Sequence, residues 1–109
     1  MKVLVRSAAR EDILRQYSYF FIENDAERAA ERFLASVQSE IESLSEHPTA
    51  GSPRFFDNPL LTGLRSWPVR GFPAIRIYYL HSVDELRIVR VLHGKRDVSP
   101  LLEDETDEG

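Results

Sequence analysis

The stretch that decides the fold is Leu64-Arg65-Ser66-Trp67-Pro68-Val69-Arg70-Gly71-Phe72-Pro73-Ala74-Ile75-Arg76-Ile77-Tyr78-Tyr79-Leu80-His81, continued by Ser82-Val83-Asp84-Glu85-Leu86-Arg87-Ile88-Val89-Arg90-Val91-Leu92-His93-Gly94-Lys95-Arg96-Asp97. Between Ala74 and His81, Ile75, Ile77 and Tyr79 alternate with Arg76, Tyr78 and Leu80, which is the two-residue period of a strand. Ser82 to Glu85 joins this run to Leu86–His93, so the two form a hairpin. In the later strand Val89 and Val91 are expected on one face and Ile88, Arg90 and Leu92 on the other, so both faces carry apolar side chains. Such a sheet needs two covers. Leu64 to Val69 reads as a preceding strand in which Pro68 requires an edge or a bulge, and Arg70-Gly71-Phe72-Pro73 as the turn that follows it.

Upstream, Lys2-Val3-Leu4-Val5-Arg6 is a short β-branched run ending at Ser7, a residue suited to cap a helix. Ile13, Tyr17 and Phe20, with Phe21 beside them, recur at helical spacing over Ala8 to Glu23. Asn24-Asp25 breaks and re-caps the chain, and Ala26, Ala30, Phe33, Val37, Ile41 and Leu44 then repeat every three or four residues. Two amphipathic helices so closely joined fold back as a hairpin, the first of the two covers. Pro48 ends the second helix, and His47 to Gly63 is a loop whose Phe55-Phe56 pair is expected to pack inward. The second cover falls to a partner chain or to Val98–Leu102. The predicted fold is α+β: an N-terminal strand and a two-helix hairpin packed on a mainly antiparallel sheet of about four strands.

A chain of 109 residues suits one domain, here residues 1–97, followed by a C-terminal segment, 98–109. Five acids in the last seven residues predict a disordered tail. The absence of cysteine excludes disulfides and thiolate metal sites and fits a reducing cytoplasm. No apolar run approaches the length of a membrane span. Charge is divided: Leu64 to Asp97 holds seven basic residues against three acidic ones, although the whole chain is net −4. That division points to a macromolecular target rather than a small-molecule substrate.

Arg76, Arg90, Lys95 and Arg96 form the candidate target-binding set, because clustered guanidinium groups recognise oxyanions. The competing reading is a solvated sheet face, or pairing with the acidic tail. His93 joins the set as the side chain most easily poised to take a proton, although a hydrogen-bonded histidine at a strand end explains it more simply. His47 and His81 are isolated and suggest no metal site, and no serine-histidine-acid spacing or glycine-rich phosphate loop appears. Tyr17, Phe20, Phe21, Trp67 and Tyr78 are the aromatic candidates for a protein interface, against the alternative that they are core.

Ser7-Ala8-Ala9, Asp12-Ile13, Tyr17, Asn24, Ala29, Phe33, Ile41, Leu44, Pro48 and Gly51, closed by Leu92-His93-Gly94-Lys95-Arg96-Asp97, follow one another in an order and spacing that resembles the ParE/RelE superfamily of bacterial toxins. The resemblance covers nearly the whole chain. It implies a toxin of a type II toxin–antitoxin system, with two branches to choose between. The ribonuclease branch, like RelE, places lysines on the second strand, arginines early in the third and just after the fourth, and a tyrosine beyond. Arg76 and Arg96 match; Leu64 to Val69 holds no lysine, and Asp97 to Leu102 no tyrosine. An acidic tail would also repel RNA phosphates. The resemblance therefore implies the ParE branch: a cytoplasmic, non-enzymatic DNA gyrase poison without cofactor or metal, meeting nucleic acid only through gyrase. Tyr17, Phe20, Phe21, Trp67 and Tyr78 are then the seat of a ParD-like antitoxin. The alternatives are a RelE-like ribosome-dependent endoribonuclease and a binding module that has lost its target.

Overall fold

The computed structural model describes residues 1–22, 27–94 and 98–106. β1 (Lys2–Val5) leads into α1 (Ser7–Ile22) and α2 (Glu27–Glu46), followed by β2 (Ser52–Pro53), β3 (Arg65–Val69), β4 (Phe72–His81), β5 (Glu85–His93) and α3 (Ser99–Glu103). The sheet order is β1-β5-β4-β3-β2; β1 runs parallel to β5 and every other pairing is antiparallel. The architecture is the α+β one expected, with five strands rather than about four. The additional strand is the two-residue β2, whose Ser52 and Pro53 lie in a segment too short and polar to carry strand periodicity. Asn24-Asp25, read as the inter-helix break, lies outside the described residues.

Between the helices and the sheet, Phe33, Val37 and Leu44 of α2 meet Ile75, Ile77, Tyr79, Leu86, Ile88 and Val91, with Ile13, Tyr17 and Phe20 of α1 packed around them. Phe20, Phe33 and Phe72 have ring centroids 5.0 to 5.4 Å apart. Tyr79 ties this core to the loop after α2, its hydroxyl donating to the Pro48 carbonyl (2.6 Å) and accepting from Gly51 N–H (2.9 Å). A Cβ on Gly51 would stand 2.5 Å from that hydroxyl, so the close approach requires glycine.

The opposite face of the sheet is covered by the chain itself. Leu102 of α3, with Val98 and Leu101 beside it, packs with Leu61 and Leu64 over Tyr78, Val89 and Leu92. The C-terminal segment thus provides the second cover, helped by the loop before β3. Asn58 fastens the two together, its amide donating to the carbonyls of Leu102, Glu103 and Glu105 at 3.0 to 3.2 Å. Phe56 packs here as expected, whereas Phe55 does not: it is 90% exposed.

β5 also departs from simple alternation. Tyr78 pairs with Arg90 and Tyr79 with Ile88, leaving Val89 as an extra residue in a bulge. Ile88 and Val91 therefore face the helices while Val89 and Leu92 face away, correcting the expectation that Val89 and Val91 share a side. One inserted residue reverses every side chain beyond it.

Candidate functional site

β1 ends early, and its end shapes the site. Arg6 N–H donates to the Ile88 carbonyl at 3.1 Å, after which the chain turns into α1 and leaves the edge of β5 beyond Ile88 without a neighbouring strand. Asp12 and Gln16, one turn apart on α1, take its place: Asp12 Oδ2 accepts from Val91 N–H (3.0 Å) and Gln16 Nε2 donates to the Val91 carbonyl (2.8 Å). Arg90 then closes a two-pronged pair on Asp12, Nε to Oδ2 at 2.7 Å and an Nη to Oδ1 at 2.8 Å. Its other Nη donates to Glu105 (2.8 Å), and Glu105 reaches Arg6 at 3.4 Å, while Arg6 also hydrogen-bonds the Thr106 carbonyl. Asp12, Arg90 and Glu105 side chains are 1%, 12% and 8% exposed. The hydrogen bond to Asp12, reinforced by Glu105, drives the Arg90 guanidinium further above its ordinary range than burial lowers it.

Arg90 is therefore committed within the fold, and this changes its reading as a target contact. The competing reading, pairing with the acidic tail, holds for Arg90 through Glu105, whereas its second carboxylate, Asp12, carries no mark of that role in the sequence. The tail also departs from a wholly disordered one: Glu105 holds the chain across Arg90 and Arg6, while residues 107–109 lie outside the described residues. Lys95 and Arg96 lie outside them as well.

The remaining candidates separate across the sheet. Arg76 faces away from the helices, opposite Leu92, with its Nε donating to Ser66 Oγ at 3.1 Å. Arg54, beyond β2, brings an Nη to the same hydroxyl at 3.5 Å and lies over the Phe56 and Tyr78 rings at 5.8 and 5.6 Å. His93 is on the other side. With Arg15, Gln16, Tyr19, Phe20, Phe72, Ala74 and Ile75 it lines a mainly apolar cavity of about 430 Å³ between α1 and the ends of β4 and β5. Arg76 and His93 thus face opposite ways and do not meet in one cleft.

The aromatic candidates divide similarly. Tyr17 stacks on Phe21 with centroids 6.2 Å apart, Phe20 is held in the inner core, and Phe21 is 44% exposed. Trp67 packs on the helix side and its Nε1–H donates to Glu40 of α2 at 2.8 Å. Tyr78, 1% exposed on the outer face, offers no surface to a partner and is a core residue. Leu14, Tyr19 and Ile22, which carry no weight in the sequence reading, extend the exposed apolar surface of α1 at 55 to 70% exposure. Helical spacing marks an apolar stripe without stating which members the neighbouring helix covers. Among the described residues no group of three acidic or histidine side chains is placed to hold a metal, and no helix is long and apolar enough to cross a membrane.

Similarity to known proteins agrees with this architecture. A chain of the chromosomal ParDE toxin–antitoxin system from P. aeruginosa superposes with a TM-score of 0.65 at 16% identity, covering 85% of this chain and 95% of that one. No curated protein matches. The family model of the ParE toxin of the type II toxin–antitoxin system parDE matches residues 3–98. A helix pair on a five-stranded sheet headed by a strand parallel to β5, together with a match over nearly the whole described chain, shows that this protein belongs to the ParE toxin family.

Proposed function

We propose that the chain arrests growth by inhibiting DNA gyrase in the cytoplasm, without cleaving RNA, and that a ParD-like antitoxin silences it by docking along α1 and the adjoining cavity. The observation that carries the non-enzymatic reading is the separation of Arg76 from His93 across the sheet. Cutting an RNA backbone requires a base, an acid and charge stabilisation around one phosphate. Here Arg76 and His93 serve different faces. Family membership supports gyrase as the target, and the ParDE assignment of the P. aeruginosa structure supports a ParD-like partner. Tyr19, which lines the cavity, and the exposed Ile22 on the same flank of α1 are suited to an amphipathic helix of that partner.

The test is a supercoiling assay with purified gyrase. The toxin is expected to abolish supercoiling and accumulate cleaved DNA, with activity restored when the cognate antitoxin is added. Full supercoiling at excess toxin rejects gyrase as the target. Cut transcripts on ribosomes, lost in Arg76→Ala, would establish the ribonuclease reading instead.

A further inference from the structure

Arg54 and Arg76 come from segments 22 positions apart and converge on one buried hydroxyl, Ser66 Oγ. Two like charges brought together repel unless an anion lies between them. Among the described residues neither arginine forms an ion pair, and Asp57, the acid nearest Arg54 in sequence, pairs with neither. Arg90, on the same face, is by contrast neutralised by Asp12 and Glu105. Their positions are constrained: Ser66 orients Arg76, and the Phe56 and Tyr78 rings orient Arg54. The guanidinium nitrogens not used on Ser66 make no hydrogen bond among the described residues and remain available as donors. Next to Arg54 in the sequence stands Phe55, 90% exposed where a buried position was expected.

We propose that Arg54, Ser66 and Arg76 bind the phosphodiester backbone of single-stranded nucleic acid, and that Phe55 stacks on an adjoining base. Paired guanidinium groups match the oxygens of a phosphate, and an exposed aromatic ring beside them is the usual platform for an unpaired base. A duplex would satisfy the arginines but keep its bases from Phe55. The site departs from the expectation that nucleic acid is met only through gyrase. It also stands apart from the functional reading above, because its ligand is bound in the absence of gyrase.

The test is fluorescence anisotropy of the purified toxin with a labelled oligothymidylate of about a dozen nucleotides, titrated at several salt concentrations. The double variant Arg54→Gln/Arg76→Gln is expected to weaken binding at least ~10-fold. Losing two phosphate contacts should also reduce the slope of log affinity against log salt by about 1.4. Phe55→Ala should weaken the oligothymidylate about 5-fold or more and leave a duplex of equal length unchanged. Phe55 is exposed and Arg54 and Arg76 are half-buried, so circular dichroism of the variants serves as the fold control. An unchanged salt slope in the double variant overturns the site, as does wild-type protein that binds inorganic phosphate or an acidic peptide but not the oligonucleotide. Equal loss of duplex and single strand in Phe55→Ala overturns the stacking role.

Discussion

The two faces of the sheet are covered by different means. Two long helices cover one, burying Phe33, Val37 and Leu44 against a continuous apolar surface. The other is covered by a five-residue helix and a loop, fastened by Asn58, and its arginines lie at the margins of that cover. Where the cover reaches, as at Arg90, the charge is neutralised by buried carboxylates; where it stops, as at Arg54 and Arg76, charge stays open to a ligand. The inner face stores stability. The outer face divides its cations between holding the fold and meeting something else.

The comparison is broken most directly at its joint. Asp12→Ala removes the carboxylate that Arg90 and Val91 N–H share, leaving a largely buried guanidinium with Glu105 alone, and is expected to cost about 3–5 kcal/mol in urea unfolding. A loss below about 1 kcal/mol would mean that water replaces the carboxylate without penalty. Leu102→Ala tests whether the short outer cover is true core. Its side chain is fully buried, so the expected loss is about 3 kcal/mol, comparable to an inner-face truncation such as Leu44→Ala. A much smaller cost would show α3 to be peripheral.

The inner face also has a pH signature. Burial raises the Tyr79 phenol above its ordinary pKa, outweighing the Gly51 N–H bond and the nearby Arg65 charge, so the folded chain keeps that proton longer than the unfolded one. Stability should therefore be fully present below about pH 10, the unfolded value, and fall as pH rises through the higher folded value. Denaturation midpoints across that range measure it, and Tyr79→Phe should remove this part of the decline. The smallest effect belongs to Phe55→Ala. A ring 90% exposed should change unfolding free energy by no more than about 0.5 kcal/mol, and a larger loss would place it in the outer core.

The division between faces was only partly legible in the residues. Helical periodicity from Ile13 to Phe20 and from Ala30 to Leu44, and alternation from Ala74 to His81, specify the layers because burial repeats with a fixed period. The need for a second cover follows from the apolar character of both sides of β5, with Val98 to Leu102 one of two candidate sources until the structure places it there. Other features carry no period. The bulge at Val89 arises from pairing with Tyr78 and Tyr79, and it redirects Arg90 toward a carboxylate 78 positions away. Asp12 looks like an ordinary first-turns acid on α1; its burial depends on β1 being four residues long. Arg54 sits in a loop without pattern, so its meeting with Arg76 is a property of tertiary structure alone.

The parallel pairing of β1 with β5 also imposes an order on biosynthesis. Lys2 to Val5 emerge from the ribosome first, yet their partners are Glu85 to Ile88, and Arg6 and Asp12 wait for Glu105 and Arg90. Contacts so distant along the chain form late, after the local helical hairpin. A nascent chain is thus unfinished until nearly all of it has been translated, because the strand that heads the sheet is made first and seated last.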